Sequence, residues 1–427
     1  MIYIERIIWS LATAFLFASG VYFTFRLNFV QLRFKKMINA LKEQQIGSGL
    51  SPFQSLTMTL GARIGVGSLA GIALAIYYGG IGTIFWIWIS AFICSANAFA
   101  ESVLGVLYRK KDKNNYIGGP AHYLKKGISS KSLAIIYAIM LILAYIAGFL
   151  TVQINTMVKS ITEIYQFNSL IISGIITLLV LLVIFNGLSS ISKVASKLVP
   201  IMALGYILIG CYILYLEIDK IPFLIKTIIL SAFNFKAIGI GFLTPLIIGF
   251  QRGIFSNEAG LGTGAIASAA SATKRPINQG FVQVFGVHIE TLVMATITAL
   301  VILTSNYPVT NLLDANGIEI TQIAFAYHLG NIGYYIIMVA ILLFAFSTII
   351  TGYYYGEVNL KFLFNKLSST GVIIFKLLVG SLLFFGGIIS PRFIWFIADI
   401  LIAIIGLINV YALFSLRKSV VKVVKDI

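Results

Sequence analysis

The sequence predicts an all-α polytopic membrane protein, and three observations carry that prediction. Of the 427 residues, 59% are hydrophobic and only 11% are charged, with a mean hydropathy of +0.97. A water-soluble domain needs about 25% charged residues to cover its surface, so lipid must be the solvent. The apolar residues also fall into runs of about 20, the length a helix needs to cross a bilayer. Finally, most of the 31 Lys and Arg sit in short connections between those runs. The net charge of +17 is thus a topology signal, and a nucleic-acid partner, a disulfide scaffold and a disordered chain are all excluded.

Eleven runs qualify: 7–25, 51–77, 82–107, 133–158, 169–186, 199–216, 237–254, 280–304, 333–355, 371–389 and 393–414. The first is too long for a signal-peptide core, and no small-residue cleavage site follows it. Alternate connections collect the basic residues, from Arg26 through Lys110 and Lys126 to Lys422, with Arg252 counted on that side. The positive-inside rule then places the N-terminus outside and the C-terminus in the cytoplasm of a cell (inner) membrane. Segment 26–50 is basic and amphipathic (Phe29, Leu32, Phe34, Met37, Leu41), as expected for a stretch lying on anionic membrane lipid. Stretches 220–236 and 311–332 are too polar to span and are expected as short outer helices. Residues 1–50 thus form one helix and a surface segment, and 51–427 a ten-helix core. Cys94 and Cys211 read as buried thiols.

Two spans are interrupted. Residues 61–71 hold four Gly (Gly61, Gly65, Gly67 and Gly71) around Arg63, in mid-span. Each Gly costs about 1 kcal/mol against Ala in a helix. Backbone unwinds at membrane depth only where it is buried in protein or lines a cavity. The alternative is a Gly face for close helix packing; Arg63 favours the cavity. The second interruption runs through Gly239, Gly241, Pro245, Gly249 and Gly253 into the polar stretch Arg252–Gly264. A pair of broken spans marks a transporter site, where free amide N–H groups attract carboxylate and free carbonyls attract a small cation. The breaks are five spans apart, the spacing of a repeated five-helix unit; no repeat is visible in the residues themselves.

These residues resemble the alanine/glycine:cation symporters, also called sodium:alanine symporters. The resemblance is carried by Ser51–Gln54, Gly79–Trp88, Phe99–Glu101, Tyr108–Arg109, Gly118–Pro120 and Arg252–Gly262, with Phe346–Thr348 and Tyr354–Glu357. It implies a LeuT-type fold of two inverted five-helix units after one extra N-terminal helix. It implies inward movement of a small neutral amino acid with sodium as coupling ion. A proton-coupled carrier, or one for a larger neutral amino acid, is the alternative. On this resemblance the substrate site comprises Gly65, Val66, Gly67, Ser68, Gln153 and Gly352. Sodium is expected at the Gly61 and Ile64 carbonyls and the Ser347 and Thr348 hydroxyls, since hydroxyl and carbonyl oxygens suit a hard cation. Those hydroxyls could instead bond the backbone one turn earlier. The family usually reads Gly-Thr-Gly-Asn where this chain has Gly65-Val66-Gly67-Ser68, and Trp at Gly352. A missing indole leaves room for a larger side chain unless neighbours fill it.

Arg63, Glu101 and Glu290 are intramembrane charges, expected as a structural Arg–carboxylate pair or in gating. Asn155 matches a polar family position, and Asp399 is expected at the outer interface. His122, His288 and His328 share no metal-ligand spacing. No nucleophile–base arrangement or phosphate loop appears, so an enzyme is not expected, nor an organic cofactor. Unlike broken helices argue against a channel, and a monomer is expected.

Overall fold

The computed structural model describes residues 2–45, 47, 49–112, 115–233, 243–305, 317–364 and 367–425. Helix α1 (Ile2–Arg26) is followed by the short α2 (Phe34–Leu41) and the broken pair α3 (Pro52–Arg63) and α4 (Ile72–Gly79), the latter led in by a π-helical turn at Gly67–Gly71. Next come α5 (Thr83–Leu107), a hairpin of β1 (Lys110–Asp112) and β2 (Asn115–Ile117), and α6 (Pro120–Lys126). Helices α7 (Lys131–Ile142) and α8 (Leu150–Thr162) form one span through a π-helical stretch, Leu143–Phe149. Then follow α9 (Ser169–Ile184), α10 (Gly187–Leu216), α11 (Ile221–Ala232), α12 (Leu243–Asn257) and α13 (Thr263–Ala270). Helices α14 (Pro276–Val287) and α15 (Thr296–Thr304) are joined through the π-helical stretch His288–Ala295. The chain ends in α16 (Gly317–Leu329), α17 (Ile332–Leu363), α18 (Ser369–Gly386), α19 (Pro391–Ser415) and α20 (Arg417–Lys425).

Among the described residues, eight helices are long and apolar enough to cross a membrane, nine if α3 and α4, bent by 51°, count as one span. The protein is therefore a multi-pass, helical membrane protein. The apolar residues of α9 also qualify in character, in a shorter helix. The expected span 237–254 begins outside the described residues. Helix α10 starts about three turns before the expected 199, because Ser189, Ser190 and Lys193 mask its first part in hydropathy and Pro200 lies inside it. Short helices α11 and α16 fall in the two stretches read as too polar to span.

Local chemistry sets several of these ends. Ser51–Gln54 forms a capping box: Gln54 N–H donates to Ser51 Oγ (3.1 Å), and Ser51 N–H to Gln54 Oε1 (3.0 Å). Pro52 sits at the first helical position, where no N–H is needed. Ser130, Asn168 and Ser368 cap α7, α9 and α18 with one bond each, accepting from the N–H of Leu133, Leu170 and Gly371. On α2, Met37 is buried while Phe34 and Ile38 are about half exposed, an orientation suited to an interface. Of the two thiols, Cys94 is buried and Cys211 is exposed, a correction to the pairing of both as buried. Cys211 lies on the outward face of α10, where lipid accepts a thiol as readily as a core does.

Candidate substrate and ion site

The two breaks lie side by side at the centre of the molecule. Helix α3 ends at Arg63; Ile64, with ψ of 82°, turns its carbonyl off the helix axis. Gly65 N–H bonds only the Arg63 carbonyl (3.0 Å) before the chain re-coils at Gly67. The second break, 258–262, is built on left-handed backbone: Gly260 (φ +93°) and Gly262 (φ +89°) are there because only Gly takes it freely. Glu258 also adopts φ +55°, and its Oε2 accepts from Thr263 Oγ1 (2.7 Å). The half-helices pair in opposite senses: the 67–79 half packs on α12, and α3 packs on α13. At the α3–α13 end, Leu50 N–H donates to Ala270 O (2.9 Å) and Ala272 N–H to Leu50 O (2.8 Å), joining both chains.

The expected sodium residues converge. Ser347 Oγ and Thr348 Oγ1 both donate to the Gly61 carbonyl, at 3.2 and 2.9 Å. They also bond Phe344 O one turn earlier on α17 (2.8 and 3.0 Å), the backbone bonding that was the alternative to ion ligation. Ile64 sits at the end of the same half-helix. All of these residues are buried.

The expected substrate residues divide. Gln153 on α8 reaches the first break: its Oε1 accepts from Val66 N–H (2.9 Å), while its Nε2 has no protein partner. Gly67 lies against the second break, where an added Cβ would come within 2.9 Å of Ser256 Cα. Gly352 lies apart from them, on α17 facing Leu150 and Tyr145; a Cβ there would be 2.8 Å from Leu150 Cδ2. The place of an indole at 352 is taken by these two side chains. Asn155 points elsewhere, donating to Gly386 O (3.1 Å) and Ile389 O (2.8 Å) at the α18–α19 turn.

Three residues that the sequence did not connect complete the junction. Glu290, carried on the π-helical stretch of the α14–α15 span, accepts from Ser68 Oγ (2.8 Å), Ser256 Oγ and Thr291 Oγ1 (2.5 Å). Ser68 and Ser256 are themselves 3.3 Å apart. One carboxylate thus ties both breaks. The sequence signal was a charge in a span, expected to pair with Arg63 or to act in gating rather than to collect hydroxyls.

Arg63 is not paired as expected. Its Nη1 donates to the Gln283 carbonyl (3.1 Å), and it enters none of the four ion pairs among the described residues. Glu101 instead accepts from Gly262 N–H (2.9 Å) and Asn409 Nδ2 (3.0 Å), holding the second break open. The buried ion pair joins Arg252 and Asp399: Nη2–Oδ2 is 2.7 Å and Nη1–Oδ1 is 3.3 Å. This corrects two expectations. Arg252 is inside the membrane domain rather than in a cytoplasmic connection, and Asp399 is 1% exposed rather than interfacial. The pair lies one turn from Ser256 on α12, on the 67–79 side of the breaks. The Arg252 guanidinium rests over the Trp395 ring (4.7 Å), and Trp395 packs at a tilt against Phe255 (centroids 4.7 Å apart).

With this geometry established, comparison with known proteins is informative. The family model for the sodium:alanine symporter family matches residues 1–427. The probable sodium/glutamine symporter GlnT of Bacillus subtilis is 37% identical over 426 residues, covering 98% of this chain and 88% of that protein. The amino-acid carrier protein AlsT, also of Bacillus subtilis, is 36% identical over 98% of this chain and 90% of its own length. The sodium/alanine symporter AgcS of Methanococcus maripaludis is 34% identical, with 96% and 92% covered. Among solved structures, MhsT in complex with L-phenylalanine superposes with a TM-score of 0.58 over 85% of this chain and 89% of that one. At 12% identity that match concerns the fold alone.

Proposed function

The chain belongs to the sodium:alanine symporter family, and from that premise we propose that it carries a small neutral amino acid into the cell with sodium. One observation supports this most: the Ser347 and Thr348 hydroxyls converge with the Gly61 carbonyl beside unwound backbone. A sodium ion among these oxygens needs only the two hydroxyl protons to turn away from Gly61, and the Ile64 carbonyl to join. The substrate carboxylate is then held by the N–H groups of Gly65 to Ser68, at the positive end of the second half-helix. Gln153 acts as a placeholder. Its Oε1 occupies the Val66 N–H, and when substrate carboxylate replaces it, the unpartnered Nε2 can donate to that carboxylate. Glu290, Ser68 and Ser256 join the two breaks where the substrate ammonium group would lie.

In this reading the nine spans, α9 and the span ending in α12 make eleven, with the N-terminus outside and the C-terminus in the cytoplasm. Residues 51–427 form the transport core, to which 1–50 is added, and the unit acts as a monomer. Arg252–Asp399 then closes the outer side of the site, and the Leu50–Ala272 pairing closes the inner side. Leu150 and Tyr145 fill the space beside Gly352, so the missing indole leaves no added room for a larger side chain, and a small substrate is retained. A proton-coupled carrier is the second reading, and buried Glu290 between the breaks is its observation. Uptake of labelled alanine into proteoliposomes tests both readings. An inward sodium gradient should drive it at fixed pH, with glycine and alanine competing better than glutamine or leucine. Uptake that only a proton gradient drives would refute sodium coupling, and better competition by glutamine would refute the small pocket.

A further inference from the structure

We propose that α1 is a strap on the outer closure: Glu5 and Trp9 position Gln251 and Asp399 so that the Arg252–Asp399 pair re-forms after each opening. The inference rests on the outer-closure reading given above. Four observations carry it. Trp9 Nε1 donates to the backbone carbonyl of Asp399 (3.1 Å), and Trp9 is fully buried. Gln251 Nε2, next in sequence to Arg252, donates to Glu5 Oε1 (2.8 Å). One turn of α1 therefore holds both helices that supply the ion pair, α12 through Gln251 and α19 through Asp399. Lower down, α1 is fastened to α5: Asn97 Nδ2 donates to Leu16 O (3.1 Å), and Ser19 Oγ to Asn97 Oδ1 (2.8 Å). Leu16 also backs Gly260 of the second break, where an added Cβ would come within 2.6 Å of Leu16 Cδ2.

Apolar contacts between helices gain little in lipid, because lipid tails are as apolar as Leu, so polar bonds and close packing set which helices stay together. In the same stretch of α1 the Ser10 hydroxyl bonds the Arg6 carbonyl within the helix, whereas the Glu5 and Trp9 bonds both go to the helices that must part when the site opens outward. Opening separates Arg252 from Asp399 and admits water to both. The anchored α1 keeps each partner within reach, so the pair closes on itself rather than drifting. Glu5 and Trp9 touch neither substrate nor ion; they are positioning residues acting through Gln251 and Asp399.

The test uses a thiol reporter beneath the closure. Gly71 lies under Trp395, and a Cβ there meets nothing nearer than Val66 O at 3.8 Å, so Gly71→Cys fits. In the full chain carrying Cys94→Ala and Cys211→Ser, a membrane-impermeant methanethiosulfonate is added from outside, with sodium and without substrate. Trp9→Phe keeps a ring and loses the N–H; Glu5→Ala removes the other bond. Each should raise the labelling rate about fivefold, the effect of one lost hydrogen bond on the closed–open balance. Asp399→Asn should raise it too, and adding Trp9→Phe to Asp399→Asn should give less than the product of the two effects. A folding defect, by contrast, lowers the amount of active carrier without raising the labelling rate of the folded protein. Unchanged labelling in Trp9→Phe and Glu5→Ala, with Asp399→Asn still raised, overturns the strap alone. Unchanged labelling in Asp399→Asn as well overturns the outer-closure reading on which the strap rests.

Discussion

Two glycines four residues apart make a sharp experiment. Gly67 and Gly71 lie at the two ends of the same π-helical turn. At Gly67 an added Cβ would stand 2.9 Å from Ser256 Cα, 3.0 Å from its Oγ and 3.1 Å from its Cβ. Carbon atoms prefer about 3.5–4.0 Å, and the nearest atom here is backbone, which cannot swing aside. Gly67→Ala must therefore push the first break off the second by several tenths of an ångström. Such overpacking costs about 1–3 kcal/mol, against a gain of about 1 kcal/mol from replacing Gly in a helical turn. The net effect on stability is thus small, but the displacement falls on the junction of Ser68, Ser256 and Glu290. At about 1.4 kcal/mol per tenfold, the same strain weakens sodium-dependent alanine binding roughly 5- to 100-fold. Gly71→Ala meets only Val66 O at 3.8 Å and Trp395 at 3.9 Å, ordinary contacts, and should leave affinity within about twofold while gaining the helix term. Sodium-driven uptake of labelled alanine, with thermal unfolding of the purified carrier, measures both. Equal losses in the two variants, or wild-type affinity in Gly67→Ala, would refute the claim that the breaks meet at Gly67.

Three further outcomes are expected. Ser347→Ala with Thr348→Ala should raise the sodium concentration for half-maximal uptake by roughly tenfold or more, since bonds to a charged group are worth about 1.5–3 kcal/mol each; an unchanged sodium curve excludes the site. Gly352→Trp should destabilise the carrier by driving an indole into Leu150 and Tyr145, by at least the 1–3 kcal/mol typical of overpacking; a stable variant with sharpened alanine preference would show that the 352 position opens onto the pocket. His122, on α6 outside the spans, is held down to about 4 by burial and then by Lys126, Lys110 and Lys125. Its folded value lies below its unfolded value, so the unfolded state binds the extra proton between them. Stability should then be full above about 6.5 and fall as pH drops through 4, by about 3 kcal/mol in total. Thermal unfolding across that range should flatten in His122→Phe, which can still pack on Phe362 (ring centroids 5.1 Å apart for the imidazole).

The helices, their membrane setting and the first break could be read from the chain because local signals specify them. Run length marks a span, four Gly mark a break, and Ser51–Gln54 carries its own capping logic. The convergence of Gly61 with Ser347 and Thr348 was reached through the family motif, since no local rule places residues 286 positions apart in contact. What hydropathy misreads are polar residues whose partners are tertiary. Arg252 scored as a loop charge only because its counter-ion, Asp399, lies 147 residues away. Lys193 delayed the apparent start of α10 for another reason: it is exposed on the first turns of the helix, and a charge ends an apolar run without ending a helix.

Arg63 and Glu290 show why the site itself was harder than the fold. Charge alone suggests that they should meet, since an unpaired buried charge is costly. They make no direct ion pair: their hydrogen bonds go to hydroxyls and backbone, and Arg63 acts on Glu290, Glu101 and Glu258 through space. Glu290 takes three hydroxyl donors, two of them from the broken helices, and Arg63 takes the Gln283 carbonyl. The Gln283 carbonyl already ties α3 to the α14–α15 span; a direct Arg63–Glu290 ion pair would add a charge–charge bond that is costlier to break. Hydroxyls give a weaker, exchangeable set of bonds: each Ser can turn from the carboxylate to an incoming cation or ammonium group without exposing a bare charge. At the proposed sodium site the same exchange would apply to Ser347 and Thr348, whose hydroxyls bond the Gly61 and Phe344 carbonyls. A carrier has to bind, release and bind again, and neutral donors around a fixed carboxylate let it do so with small rearrangements at both breaks.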